Sequence, residues 1–388
     1  MITQTEAPAI RGAHHYPEVG VPFFWPFGFA TAIEEAAWDT GLRNLRYFNE
    51  VEKTQIVRPR PQWTTPNRVS LDLHTMELRD FSTAKEGTPV LILAPYAGHT
   101  SVIADFHEGQ SLAATLLDRA CKRLFVTDWK SAAPFMRDYD IDNYLEEINV
   151  AVEELGGRVA LVGLCQGGWC AAMYAARYPH KVEKLVLAGA PIDTDAGDGA
   201  IKAMAHAMPM RFYEDLVAAG EGLLKGAFML EGFKNLHPVK QYVEKFAELY
   251  DNVEDPTYVE RFETFERWYE YTIDLPGRWY LQAIQQLFKE NRLAKGSFVA
   301  LGRQISLASI VCPTYLLAGA KDDITPSEQV FAAESLLGTP PSLIRKDVAP
   351  GGHIGLFMGR NVLQTNWTEI ANWLNEAPAA AQPRSRSN

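Results

Sequence analysis

Between residues 66 and 191 two hydrophobic patterns alternate. TPVLILAPY, RLFVTDW, RVALVGLC and KVEKLVLAGAP are short, nearly continuous apolar runs bounded by Gly, Pro or charge. At that length they predict strands buried on both faces. Between them, SLAATLLDRACK, IDNYLEEINVAVEELG and GGWCAAMYAARYP repeat apolar residues every three or four positions, the spacing of one helix face. Gly156 and Gly157 end the second helix and Pro179 ends the third. Strand and helix in alternation predict an α/β fold, a mostly parallel sheet with helices on both faces.

The pattern changes at residue 192. From there to 307 the chain reads as helical and aromatic, with FERWYEYTIDLPGRWYLQAIQQLF at its centre. Strand signals return at CPTYLLAGA and SLIRKDVAP, and TNWTEIANWLNE is a last helix. The expected organisation is therefore a first core segment over 66–191, a helical cap over 192–307 and a second core segment over 308–376. Ligands bind such sheets at the C-terminal ends of the strands, so a cap inserted there encloses the substrate. Ahead of the core, 1–65 forms a preamble whose middle, ATAIEEAAWDTGLRNLRYFNEVEKT, is spaced as an amphipathic helix until the prolines of RPRPQWTTP stop it. Residues 377–388 have the composition of a disordered tail.

Composition narrows the function. Of the 388 residues, 47% are hydrophobic and 22% charged, enough apolar surface for a large core. A net charge of −11 excludes a general nucleic-acid binder, which needs a basic face. The N-terminus shows no secretion signal, and VPFFWPFGFATA is too short and too proline-broken to span a bilayer. The four cysteines, Cys121, Cys165, Cys170 and Cys312, have no zinc-ligand spacing and form no dense framework. Reduced thiols and a cytoplasmic location are expected, with no metal and no resident cofactor.

The chemistry gathers at VALVGLCQGGWCAAMYAA. Strand, Gly-Leu-Cys-Gln-Gly-Gly and helix form the nucleophile-elbow pattern of the α/β-hydrolase fold, with cysteine in place of serine. Gly163 and Gly167, two residues either side, let the sharp turn form. The N-terminus of the following helix favours thiolate on Cys165, while Cys170, inside that helix, reads as core. The partners follow in the order nucleophile, acid, histidine. YLLAGAKDDITP offers Asp322 and Asp323 as the acid; the spacing from Gly319 favours Asp322. VAPGGHIGLF offers His353. One oxyanion donor is the backbone N–H of Gln166, and the second comes from the loop after the first core strand, at Tyr96 or Ala97. His99 in that loop is a candidate substrate contact or a structural residue. Asp128 and Trp129 read as packing.

The segments LVGLCQGGWCAAMYAARYPHKVEKLVLAGAPID, LFKENRLAKGSFVALGRQISLASIVCPTYLLAGAKDDITP and APGGHIGLFMGRNVLQTNWTEIANWL resemble the short, partner-requiring polyhydroxyalkanoate synthases. The cysteine elbow, the ENRL segment and the GGHIG loop carry the resemblance, which spans about residues 65 to 376. It implies a polymerising acyltransferase on hydroxyacyl-CoA thioesters, with coenzyme A thioester as substrate rather than cofactor. It also implies a partner subunit or homodimer and contact with a polyester granule. Carried over, Cys165 takes the acyl chain, His353 activates thiol and hydroxyl, and Asp322 supports the histidine or the incoming hydroxyl. Two features depart from the pattern. Asp323 stands where the synthases usually have histidine. The PYAGH loop is closer to intracellular polyhydroxyalkanoate depolymerases, which also use cysteine and carry an Asp-Asp-Ile segment but lack the glycines after the cysteine. Three functions follow for test: synthase-like acyltransferase, polyester depolymerase or (thio)esterase, and a non-catalytic granule-associated binding protein.

Overall fold

The computed structural model describes residues 59–376 other than 120, 246, 247, 249–251, 253 and 254; the preamble helix and the tail read from the sequence lie outside the described residues. Two compact units emerge: Pro61–Leu230 with the chain from Trp268 onward forms one, and Glu231–Arg267 belongs to the other. The larger unit is built on eight strands: β1 (Arg68–Asp72), β2 (Met76–Asp80), β3 (Val90–Leu93), β4 (Leu124–Trp129), β5 (Val159–Leu164), β6 (Val182–Ala188), β7 (Thr314–Gly319) and β8 (Ile344–Ala349). They lie in the order β1-β2-β4-β3-β5-β6-β7-β8. Every pairing from β4 to β8 is parallel; β1–β2 and β2–β4 are antiparallel. This is the α/β architecture expected from the alternation of patterns.

The central strands owe their position to their uninterrupted apolar runs. Every residue of β3, β4, β5 and β7 is buried, as parallel strands covered by helices on both faces require. The helices α1 (Leu112–Asp118), α2 (Ile141–Glu154) and α3 (Gln166–Arg177) connect them. In α2 the buried residues Ile141, Tyr144, Leu145, Ile148 and Val152 fall on one face. Asp140 caps it by accepting from Asp142 N–H at 3.1 Å, and Gly156 and Gly157 leave it at φ 105° and 81°.

The hairpin β1–β2 was not anticipated from the sequence. It is an edge: β1 is mostly exposed, and β2 buries only alternate residues, Met76, Leu78 and Asp80. Such strands carry no continuous apolar run. Their turn is held from the side by Glu147 of α2, which accepts from His74 N–H (3.0 Å), Thr75 N–H (2.8 Å) and the Thr75 hydroxyl (2.5 Å).

Within the span read as the cap, the larger unit contributes helices α4 (Ala200–Ala207), α5 (Met210–Ala219) and α6 (Gly277–Gln282). It also contains two strand ladders that the helical expectation omitted: Leu223–Leu224 with Leu275–Pro276, and Val299–Ala300 with Arg303–Gln304. Two-residue strands are too short to leave a period in the sequence. The last helix, α7 (Thr368–Asn375), is tied to the sheet by Lys184 of β6. Its Nζ donates to the carbonyls of Trp373 (2.6 Å), Leu374 (3.1 Å) and Glu376 (2.7 Å), the groups a helix C-terminus leaves unpaired.

Candidate active site

Strand β5 runs into α3 through a single residue, Cys165, whose backbone stands at φ 49° and ψ −118°. A non-glycine residue at positive φ is strained, and such strain persists only where the surroundings impose it. Here Cys165 N–H donates to Ala188 O and Cys165 O accepts from Gly168 N–H, both at 2.8 Å. Three glycines make room. A Cβ on Gly163 would lie 2.5 Å from Gly168 Cα, one on Gly167 2.1 Å from Leu93 O, and one on Gly168 2.3 Å from Ala190 Cβ. Gly163 and Gly167 were legible from the motif. The need for Gly168 comes from the loop after β6, distant in sequence.

The loop after β7 supplies Asp322, and the loop after β8 supplies His353. The Asp322 side chain is fully buried, and its Oδ2 accepts from His353 Nδ1 at 2.7 Å. Its Oδ1 accepts from the N–H groups of Ile324 (3.1 Å) and Thr325 (2.9 Å), which fixes the carboxylate. With Nδ1 engaged, Nε2 is the nitrogen left for Cys165, and the two side chains interact. Burial opposes charge on His353. The adjacent Cys165 and Asp322, with the hydrogen bonds to both, outweigh it and hold the imidazole well above its ordinary 6.5. The ring is further seated by Phe357, edge-on at 5.4 Å, and by Gly189 at φ 54°, where a Cβ would come 3.4 Å from His353 Cε1. Neither was singled out from the sequence. Phe357 lies four residues beyond His353, a spacing that could have suggested it.

The acid alternatives separate. Asp323 is exposed, and its backbone carbonyl accepts from Ala200 N–H at 3.1 Å. Of the oxyanion candidates, Gln166 opens α3 directly after Cys165. Tyr96 and Ala97 follow β3, whose Leu93 carbonyl lies against Gly167. The Tyr96 side chain is buried elsewhere: its hydroxyl accepts from Tyr144 (2.9 Å) and donates to Asp274 O (3.1 Å). Only its backbone is therefore offered to the site. His99 is held to the segment 268–272: Nε2 lies 3.0 Å from Tyr269 O, a bridge pairs it with Thr272, and its ring stacks near those of Trp268 and Tyr269. That is the structural alternative for His99. Asp128 is buried and takes Arg79 Nε at 3.0 Å, as packing requires.

All four cysteines are free. Burial pushes the Cys121 and Cys312 thiols up to about 11 and Cys170 higher still, so none of these three is a thiolate near neutral pH. Among the described residues no group of three His, Cys, Asp or Glu is placed to hold a metal, and no helix is long and apolar enough to cross a membrane.

The family model described as "Protein of unknown function (DUF3141)" matches residues 62–376, most of the chain. The chain belongs to the DUF3141 family. Among curated proteins it is similar to the poly(3-hydroxyalkanoate) polymerase subunit PhaC of Allochromatium vinosum, 28% identical over 301 residues, 76% of this chain and 82% of that one. It is likewise similar to the subunit of the same name from Haloferax mediterranei, 24% identical over 361 residues, 90% of this chain and 72% of that one. Among solved structures, a hydrolase from Pseudomonas aeruginosa superposes with a TM-score of 0.50 at 17% identity, covering 81% of this chain and all of that one. This DUF3141 member thus has the α/β-hydrolase fold and is similar over most of its length to poly(3-hydroxyalkanoate) polymerase subunits.

Proposed function

We propose that the chain is an acyltransferase that draws hydroxyacyl groups from coenzyme A thioesters onto Cys165 and passes them to a hydroxyl. The observation that carries this reading is a cysteine, not a serine, at a strained elbow, with a buried histidine whose Nδ1 is bonded to a buried carboxylate. A thiolate exchanges with a thioester at little cost in acyl activation, so the acyl group remains ready for an alcohol.

In the proposed cycle the Cys165 thiolate attacks the thioester carbonyl. The oxyanion is met by the N–H of Gln166 and a second N–H from the Tyr96–Ala97 loop. The carbon–sulfur bond to coenzyme A breaks, and His353 gives its proton to the departing thiolate. A hydroxyl from a second hydroxyacyl group then attacks the acyl-cysteine. Neutral His353 takes the hydroxyl proton, the ester forms and the Cys165 thiolate is released. Asp322 keeps Nδ1 protonated throughout. The PhaC similarity points to a polyester product, a polyester granule as the place of work and a partner subunit as a requirement for full rate.

The experiment is a rapid-quench reaction with 3-hydroxybutyryl-CoA in excess over the protein. Mass spectrometry should find one acyl group on Cys165, with ester-linked oligomers among the products, and Cys165→Ala should give neither while melting as the wild type does. Release of free 3-hydroxybutyrate without oligomer would make the chain a hydrolase using the same residues. Undiminished coenzyme A release by Cys165→Ala would overturn the reading.

A further inference from the structure

The chain between β6 and α4 gives no group to the triad, yet it abuts the elbow and the histidine and reaches the loop of the acid. Ala188 O accepts from Cys165 N–H at 2.8 Å. Gly189 lies on the imidazole, so that a Cβ there would come 3.4 Å from His353 Cε1 and 3.2 Å from Phe357 Cζ. Ala190 packs on Gly168 of the elbow, where a Cβ would meet its own Cβ at 2.3 Å. At the far end Ala200 N–H donates to Asp323 O at 3.1 Å, next to Asp322. A shift of this one stretch therefore displaces the nucleophile and the base together.

What holds the stretch from outside is the segment around Glu290-Asn291-Arg292-Leu293, which supplies no group to the triad. Asn291 Nδ2 donates to Asp193 Oδ1 at 2.7 Å, and the Thr194 hydroxyl donates to Leu287 O at 2.6 Å. Asp193 Oδ1 also accepts from Asp195 N–H at 3.0 Å, so the bond to Asn291 closes a turn as well. Burial raises the Asp195 carboxyl, but hydrogen bonds from Asn291 and Lys295 outweigh it and hold it below the usual carboxylate range. The Lys295–Asp195 pair is widely exposed and adds little. Asn291 is only 3% exposed and stands at φ 52°. That backbone suits glycine, asparagine and aspartate. Glycine has no side-chain donor, and an aspartate carboxylate has no proton to give. Asparagine alone of the three meets both demands.

We propose that Asn291 is a positioning residue, which clamps the loop after β6 through Asp193 and so keeps Cys165 and His353 in register for acyl transfer. This rests on Cys165 as the nucleophile, whichever acceptor then takes the acyl group. Misplacing reacting groups by about 1 Å costs about a hundredfold in rate, so a clamp on a shared support acts on the chemical step.

The test uses the full chain and coenzyme A release from 3-hydroxybutyryl-CoA, at a temperature where melts show each variant folded. Asn291→Gly keeps the left-handed backbone and deletes the amide; kcat should fall about ten- to a hundredfold while KM stays within about threefold. Asn291→Asp sets a third carboxylate against Asp193 and Asp195 and should lose as much. Asp193→Asn with Asn291→Asp restores one donor and one acceptor in exchanged places, and should recover at least about tenfold of that loss. Should Asn291→Gly not fold, Asp193→Ala, which deletes the acceptor instead, should give the same split. A residue that only anchors the fold would lower the melting temperature and leave kcat of the folded protein alone. A kcat within about twofold of wild type in the single variant, or a double variant no faster than Asn291→Asp, therefore overturns the clamp. Absence of an acyl adduct on wild-type Cys165 overturns the nucleophile reading and this proposal with it, so the wild type alone tells the two failures apart.

Discussion

Asp322→Asn tests how the site is charged. In the wild type, Oδ2 accepts from His353 Nδ1 at 2.7 Å while Oδ1 accepts from Ile324 and Thr325 N–H. Asparagine has the same shape and keeps its carbonyl oxygen on those two N–H groups, so the turn survives. What then faces Nδ1 is an NH2 group, a donor. Neutral imidazole must answer with its lone pair at Nδ1, which places the proton on Nε2 and removes the base from the thiol side. The imidazolium also loses a charge-assisted bond worth about 1.5–3 kcal/mol. At about 1.4 kcal/mol per pH unit, the His353 pKa falls by about one to two units. Wild-type His353 is raised above 6.5, so the folded protein holds this proton to higher pH than the unfolded chain does. The stability it contributes is complete below about pH 6.5 and is lost as pH rises through the raised value. In the asparagine variant, the alkaline limb of coenzyme A release and the alkaline loss of melting temperature both move down by about one to two pH units. The rate at the optimum falls by about 10²–10⁴. Stopped-flow thiol release and thermal melts across pH measure both. An alkaline limb that stays put, with a rate within a few-fold of wild type, would show that this carboxylate does not set the charge of His353.

Asp323→Asn should leave coenzyme A release within about twofold of wild type, since the residue is exposed while Asp322 is buried on the imidazole; a loss like that of Asp322→Asn in the same assay would reverse the assignment. Gly167→Ala should destabilise by about 2–3 kcal/mol or more in urea unfolding, because its Cβ meets the Leu93 carbonyl at 2.1 Å and backbone cannot rotate away. Lys184→Met should cost about 2–4 kcal/mol in the same measurement, as three carbonyls at the end of α7 lose one ammonium; a melt indistinguishable from wild type would mean that water replaces it.

The elbow was legible because its determinants are local. Strand, cysteine, glycines and helix lie within twenty residues, and each demands the next. His353 and the aspartate pair were legible through chain order. Choosing between Asp322 and Asp323 was not a matter of order: adjacent side chains point apart, and which one turns inward is fixed by Oδ1 of Asp322 receiving Ile324 and Thr325 N–H. Gly168 and Gly189 escaped notice since what they make room for, Ala190 and the His353–Phe357 pair, comes from other loops. The edge hairpin β1–β2 was missed for the opposite reason. It buries too little to write a pattern, and it is held in part by Glu147, some seventy residues on. The division at Glu231 and Arg267 leaves no mark in a stretch where helical periods run on either side.

The loop after β3 is fixed by side chains and backbone packed around it. Trp129 Nε1 donates to Ala94 O at 2.8 Å, and Ala94 N–H donates to Thr127 Oγ1 at 3.1 Å, so β4 holds the start of the loop. The Tyr96 hydroxyl bridges Tyr144 and Asp274 O, and Gly98 O accepts from Ile273 N–H at 2.8 Å, so the segment 273–274 holds its far side. Tyr96 packs edge-on to Trp279 at 5.2 Å, and Trp279 lies on Trp169 of the nucleophile helix. Trp279, from the aromatic stretch read as the cap, therefore joins the loop after β3 to helix α3. This matters more for a cysteine than for a serine. In the proposed cycle the attack on the thioester carries no proton transfer, so more of the barrier lies in holding the oxyanion. Fixed N–H donors serve that end only if the loop carrying them cannot relax away.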